Sequence, residues 1–166
     1  PISVPIDDNA LNKLAIALGA DVPVCLACES VRMEGIGERL TAIGPVPALK
    51  LVLINPGVPI TAGSIFRRFH GPYSAPLPLT EGVWSRERLF AYVGASAHND
   101  LMESAAALAP VVLEVLDALA TWPGVRCAGM SGSGATCFAI FGSDEQRHVE
   151  TAVENARARG WWATGT

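Results

Sequence analysis

Apolar positions in the first third of the chain change from a helical period to short strand-like runs. The i, i+3, i+4, i+7 spacing of an amphipathic helix is met by Leu11, Leu14, Ala15 and Leu18. Apolar runs typical of strands follow at residues 24–28, 30–34 and 40–43, with Gly-Ile-Gly-Glu at residues 35–38 interrupting the pattern. The pattern predicts one helix, a strand, and then a bend or hairpin.

The middle of the chain carries the clearest strand signal, at residues 48–54, which end at Asn55-Pro56-Gly57. We expect this strand to lie inside a sheet. Thr61 can cap a short helix that runs to residue 69. Residues 70–84 contain three prolines and two glycines and predict a surface loop.

The second half of the chain alternates helical and strand-like segments. Helices are predicted after Ser85, after the caps Asn99 and Asp100, and after Pro110. Residues 125–128 and 136–141 read as strands joined by a loop rich in glycine and serine, and a long helix and an edge strand complete the chain. The whole indicates an α+β fold with a ferredoxin-like antiparallel sheet and helices on one face.

Composition and charge exclude several classes of function. The 166 residues suffice for one domain, or for one domain and part of another, and half of them are hydrophobic. A net charge of −4 provides no basic surface for a nucleic-acid partner, and no apolar run is long enough to span a membrane. We therefore expect a cytoplasmic protein. The chain starts at Pro1 without an initiator Met or a leader, so we also expect a missing upstream segment.

Four cysteines raise the question of a metal or redox site. Cys25 and Cys28 form one C-x-x-C pair, but neither a second close pair nor spaced histidines accompany it, which disfavours zinc. In a strand, positions three apart point to opposite faces, which disfavours a redox pair. We expect no metal site and four buried free thiols, including Cys127 and Cys137.

Two features could carry chemistry. The loop at residues 130–136 offers consecutive backbone N–H groups that could hold a phosphate, although a plain tight connection between strands would have the same sequence. Asp21 lies at a turn after a helix and could accept a hydroxyl proton, but it could equally cap the next element. The residues alone leave both alternatives open.

Five motifs in order resemble the diphosphocytidyl-methylerythritol kinase family of the GHMP small-molecule kinases. They are Leu-Gly-Ala-Asp-Val-Pro-Val at 18–24, Gly-Ile-Gly-Glu at 35–38, Asn-Pro-Gly-Val at 55–58 with Thr61 and Phe66, Asn-Asp-Leu at 99–101, and Met-Ser-Gly-Ser-Gly-Ala-Thr at 130–136. The resemblance covers nearly the whole chain. It implies that residues 1–47 are the end of an N-terminal catalytic domain and residues 48–166 a GHMP kinase C-terminal domain.

The resemblance also implies a reaction and a set of site residues. The family transfers a phosphate from ATP, with Mg²⁺, to the C2 hydroxyl of a small-molecule substrate, diphosphocytidyl-methylerythritol, for isoprenoid biosynthesis. Asp21 corresponds to the residue that orients or deprotonates that hydroxyl. The phosphate-side loop corresponds to Ser131, Gly132, Ser133, Gly134 and Ala135, and the substrate side corresponds to Ile36, Pro56, Gly57, Thr61 and Phe66.

The sequence lacks the family's N-terminal portion, with its main ATP loop and a lysine that pairs with the catalytic aspartate. We therefore expect that the missing N-terminal half is a required partner and that this chain alone is inactive. Two alternatives stay open: a GHMP kinase for mevalonate, homoserine or a sugar, and a non-catalytic ferredoxin-like binding module whose Gly/Ser loop only turns a hairpin.

Overall fold

A computed structural model of the chain describes residues 7–78, 82–96 and 98–166, without the side chains of residues 95 and 96. The chain divides into two compact units. The first comprises Pro1–Val46 with Pro78–Ser85, and the second comprises Pro47–Leu77 with Arg86–Thr166. The predicted division of the chain into parts of two kinase domains stays a prediction.

The first unit contains two helices and a hairpin: α1 (Asp8–Leu18), α2 (Val22–Ala27), β1 (Val31–Glu34) and β2 (Arg39–Ala42). The two strands are antiparallel, with Glu34 opposite Arg39, as the glycine-rich bend predicted. The helix α1 is also confirmed, but the first unit covers little of its apolar stripe. Ala15 is buried, whereas Leu14 and Leu18 are 54% and 71% exposed.

The strand predicted at residues 24–28 is wrong, because this segment forms the helix α2. Pro23 lies in the first helical turn, where its fixed φ suits the helix and its missing N–H costs nothing. Cys28 ends the helix in the left-handed conformation, with φ 48°. Its N–H donates to the carbonyl of Val24 at 3.3 Å. A short apolar run cannot by itself distinguish a strand from one and a half helical turns.

The second unit is built on a four-stranded sheet whose strands are β3 (Lys50–Asn55), β4 (Val125–Met130), β5 (Cys137–Phe141) and β6 (Trp162–Gly165). The spatial order is β4-β5-β3-β6, and all neighbours are antiparallel. Its helices are α3 (Ala62–Arg68), α4 (Arg86–Ser96), α5 (Met102–Leu108), α6 (Val111–Thr121) and α7 (Gln146–Ala158). This is the ferredoxin-like arrangement expected from the sequence, with β3 inside the sheet.

The core of the second unit lies between one face of this sheet and its helices. Val52 is opposite Ala139 and Ile54 is opposite Cys137, so their side chains share a face. All four are buried against apolar residues of α6 and α7, including Val112, Val115, Leu119, Val149, Ala152 and Ala156. This packing fixes the ends of β4 and β5, which flank the glycine-rich loop.

No single helix in the described part of the chain is long and apolar enough to cross a membrane. The helices α5 and α6 reach the length and apolar composition of a membrane span only when taken together, and they are bent by 118° relative to each other. Ala105 of α5 and Val112 of α6 belong to the hydrophobic core of the second unit.

The four thiols are expected to differ in reactivity. Cys25 and Cys28 are exposed, contrary to the expectation of burial, whereas Cys127 is half-buried and Cys137 is buried. Burial raises the pKa of Cys127, and it raises that of Cys137 to about 11. Titration of the native chain with Ellman's reagent at pH 8 should give two fast thiols, a slow one and an unreactive one.

Unfolding should make all four thiols equally reactive, which provides the control. Burial of the Cys137 thiol also makes the free energy of unfolding depend on pH. The stability contributed by the neutral buried thiol is complete below the pKa of an unfolded thiol, near 9, and is lost as pH rises towards about 11. Fast reaction of three or four thiols in the native chain would contradict the burial.

Candidate active site

The loop that joins β4 to β5 has a compact backbone. The N–H of Ser131 donates to the carbonyl of Thr136 and the N–H of Gly134 to the carbonyl of Ser131, both at 2.9 Å. Gly134 has φ 81°, and a Cβ there would stand 2.7 Å from the sulfur of Met130. Glycine is therefore required at residue 134 for both its backbone conformation and its close packing.

Two asparagines from other elements hold the two ends of this loop. The side-chain amide of Asn99, just before α5, donates to the carbonyls of Met130 and Gly132, each at 2.9 Å. The amide of Asn55, at the end of β3, donates to Thr136 Oγ1 at 2.9 Å. The loop is thus fixed to the sheet and to the start of a helix.

Several N–H groups of the loop are available to a ligand. Within the described residues, the backbone N–H groups of Gly132, Ser133 and Ala135 have no protein acceptor. Gly132 has φ 54°, and no atom lies within 4 Å of the position of a Cβ. A loop with free donors and no obstructing Cβ can hold an anion. The arrangement favours the phosphate-binding interpretation over a plain strand connection.

A cleft of about 600 Å³ lies beside the loop in the second unit. Phe66 of α3 and Tyr73 line it together with Met130, Gly132 and Phe138. Phe66 is half exposed, with its ring accessible from the cleft. Phe66, one of the predicted substrate-side residues, therefore lines the same cleft as the glycine-rich loop.

The segment between β3 and α3 lies next to the same loop. Asn55 Oδ1 accepts from the N–H of Gly57 at 2.8 Å, which shapes the turn that contains Pro56. Thr61 caps α3 through its hydroxyl, which accepts from Ser64 N at 3.2 Å, as predicted. A Cβ on Gly134 would be 3.4 Å from Ile60, so this segment and the phosphate-side loop are neighbours.

Asp100 fixes one wall of the cleft. Its carboxylate accepts hydrogen bonds from both the hydroxyl and the N–H of Ser74, next to Tyr73, and it lies 3.2 Å from His98 Nε2. The bonds from Ser74 hold the pKa of Asp100 below its usual value. The sequence indicated Asp100 as a helix cap and as part of the Asn-Asp-Leu motif, and the structure shows that its side chain also holds the loop that carries Tyr73.

In the first unit, Asp21 is the exposed residue before α2, and its side chain makes no capping hydrogen bond. The turn of the β1–β2 hairpin approaches this segment. Gly37 has φ 93°, and a Cβ there would overlap the carbonyl group of Ala20, the residue before Asp21. The two glycine-containing motifs of this unit therefore contact each other directly.

The hairpin turn is also ordered internally. Glu38 Oε2 accepts from the N–H of Ile36 at 2.6 Å. Hydrogen bonds from its own backbone and from that of Ile36 lower the pKa of Glu38. Ile36 itself is 71% exposed at the tip of the turn, where its side chain can meet a ligand.

Sequence reasoning did not assign a role in the site to Asn55 or Asn99. The signal was present, because Asn55 is the last residue of β3 and Asn99 lies shortly before α5. The helix α5 also begins later than the predicted cap at Asn99 implies. Leu101 is the residue before α5, and Asn99 Oδ1 accepts from its N–H at 3.0 Å. One asparagine therefore orders both the start of α5 and the loop.

Replacing Asn99 by Ala should destabilise the second unit by about 1–2 kcal/mol, because two carbonyl acceptors and one N–H lose their partner. Thermal unfolding would measure the change. Asn155 on α7 is exposed, and Ala is the better helix former, so Asn155→Ala should not destabilise. Equal stability of the two variants would contradict the role of Asn99.

Comparison with known proteins assigns the class. Residues 85–160 match the family model described as GHMP kinases C terminal. A crystal structure of 4-(cytidine 5'-diphospho)-2C-methyl-D-erythritol kinase aligns with a TM-score of 0.68 and 28% identity, over 96% of this chain and 56% of that one. The chain therefore contains a GHMP kinase C-terminal domain.

Two curated relatives carry the name 4-diphosphocytidyl-2-C-methyl-D-erythritol kinase. A relative from Cereibacter sphaeroides is 41% identical over 160 residues, which are 96% of this chain and 56% of the relative. One from Rhodospirillum rubrum is 42% identical over 151 residues, 91% of this chain and 49% of the relative. The chain is a homologue of these kinases and spans about half of their length.

Proposed function

We propose that the chain is the C-terminal part of an ATP-dependent kinase that phosphorylates the C2 hydroxyl of 4-diphosphocytidyl-2-C-methyl-D-erythritol, in the biosynthesis of isoprenoid precursors. The observation that carries the proposal is the anchored loop at residues 131–136, with its free N–H groups, beside an aromatic cleft. The names of the relatives support the choice of substrate.

In this proposal Asp21 is the catalytic carboxylate. It is exposed, and its side chain is not engaged in capping α2, so it is free to accept a proton from an attacking hydroxyl. Phosphoryl transfer requires alignment and charge neutralisation more than covalent participation of the protein. A single well-placed carboxylate therefore suffices for this chain's contribution to proton transfer.

The loop would bind the phosphate side of the reaction. The N–H groups of Gly132, Ser133 and Ala135 have no protein acceptor and would donate to phosphate oxygens, and the open space at Gly132 fits a close approach of ATP. When bound, ATP supplies the transferred phosphate and Mg²⁺ neutralises its charge. No group of three or more metal-ligating side chains occurs in the described residues.

The substrate side would use the other predicted residues. Phe66 offers a half-exposed ring for stacking on the cytosine base, and Pro56, Gly57 and Thr61 border the neighbouring loop. Ile36, on the hairpin of the first unit, is a further substrate-side residue in this proposal. Asp100 would act on this side only indirectly, by holding the loop that carries Tyr73.

The remaining partner in the proposal is the N-terminal half that the relatives possess. The exposed apolar side chains of α1 and α2, at Leu14, Leu18 and Leu26, are suited to packing against it. This half would also provide the main ATP loop and a lysine for Asp21. We expect the chain alone to be inactive, and a cytoplasmic location stays a prediction.

The test uses a chimera in which this chain replaces the matching 160 residues of the Cereibacter sphaeroides relative. With Mg-ATP, coupled ADP release should occur with the cytidine substrate and not with mevalonate or homoserine. The isolated chain should release no ADP with any of them. Turnover with another alcohol would identify a different GHMP kinase, and a folded chimera without any turnover would favour a binding module.

A further inference from the structure

Two cysteines lie together at the end of α2, outside the residues assigned to phosphoryl transfer. Cys25 is in the last turn of the helix and Cys28 is the residue that ends it. All four cysteines are free, but only Cys25 and Cys28 are exposed. Exposure is the first requirement for exchange with a disulfide in solution.

Cys25 and Cys28 are three positions apart at the end of α2. Positions three apart in a helix have Cβ atoms about 5–6 Å apart, and a disulfide needs roughly 3.5–4.5 Å, so a small movement is required. Cys28 can supply that movement because it has already left the helical conformation, with φ 48° and ψ 30°. Its position at the end of the helix leaves the preceding turns unaffected.

The side chain of Cys28 already points back to its partner residue. Its Sγ donates to the carbonyl oxygen of Cys25 at 3.1 Å, so the thiol lies against the backbone of Cys25. The backbone N–H of Cys28 remains bonded to Val24, which keeps the residue close to the helix. Closure therefore requires side-chain rotation and a local adjustment rather than unfolding.

We propose that Cys25 and Cys28 form a reversible intramolecular disulfide by exchange with small disulfides of the glutathione class. The thiolate of one cysteine attacks the small disulfide, which gives a mixed disulfide and one small thiol. The second thiolate then attacks the mixed disulfide at the protein sulfur and releases another small thiol. The pair loses two electrons and two protons, and the small disulfide gains them as two thiols.

This site is independent of the proposed kinase activity, so it can be tested on the chain itself. The chain is equilibrated in reduced and oxidised glutathione at several ratios, quenched with acid and alkylated. Its intact mass is then measured. We expect a species that lacks two hydrogen atoms, has two fewer alkylated cysteines and returns to the reduced form with dithiothreitol.

Variants identify the sulfurs involved. Cys25→Ser and Cys28→Ser should each abolish the loss of two hydrogens and accumulate a single glutathione adduct, whereas Cys127→Ser should behave like the parent chain. Both serines replace exposed side chains, and circular dichroism checks that the fold is kept. Only glutathione adducts or intermolecular disulfides in the parent chain would overturn the proposal, as would an intramolecular disulfide that persists in either variant.

Discussion

Replacement of Asp21 by Asn in the full-length chimera should lower kcat for the cytidine substrate by about 10²–10⁴-fold, the usual contribution of a general base. Asn has the same shape but cannot accept the hydroxyl proton. The side chain of Asp21 makes no capping bond in α2, so its replacement should leave the fold intact. Coupled ADP release at saturating ATP and substrate would measure the change.

A second carboxylate provides the matched control. Asp8 is an exposed acid in the first turn of α1, and Asp8→Asn also removes one negative charge from the first unit. Its kcat should stay close to that of the parent chimera. If Asp21→Asn and Asp8→Asn had the same kcat, the proposed role of Asp21 would be wrong, whichever alcohol is the substrate.

Sequence patterns predicted the second unit better than the first. Residues 48–54 are continuously apolar apart from Lys50, and β3 is correspondingly inside the sheet with Val52 and Ile54 buried. Residues 24–28 are equally apolar, yet they form a helix. The difference depends on Pro23 and on the left-handed conformation of Cys28, which are local backbone features rather than a hydrophobic period.

The candidate site was predictable in its motifs but not in its connections. The loop at residues 131–136 and Asp21 stand out in the sequence, and glycine at residue 134 is explained by its φ and its contact with Met130. The hydrogen bond from Asn55 joins residues that are 81 positions apart in the sequence. The two bonds from Asn99 join residues that are 31 and 33 positions apart. Such pairings depend on the sheet order and the helix positions, which no local pattern specifies.

Gly37→Ala is the substitution for which the structure predicts the largest loss of stability in the first unit. The residue has φ 93°, where a Cβ is strained, and that Cβ would also overlap the carbonyl group of Ala20. The backbone strain costs about 1–2 kcal/mol. Displacement of a packed neighbour adds roughly 1–3 kcal/mol. Because Ala20 precedes Asp21, ADP release by the chimera should fall as well.

Gly44→Ala separates the effect of backbone strain from the effect of steric overlap of the added Cβ. Gly44 has φ 76°, close to that of Gly37, but no atom lies within 4 Å of its Cβ position. It should therefore lose only the strain of about 1–2 kcal/mol in thermal unfolding, with ADP release retained. If the two variants lost the same stability and kept the same activity, the hairpin would not support the segment of Asp21. A greater loss in Gly37→Ala for both quantities would support a role for the Gly-Ile-Gly-Glu turn in holding the segment of Ala20 and Asp21, the proposed catalytic carboxylate.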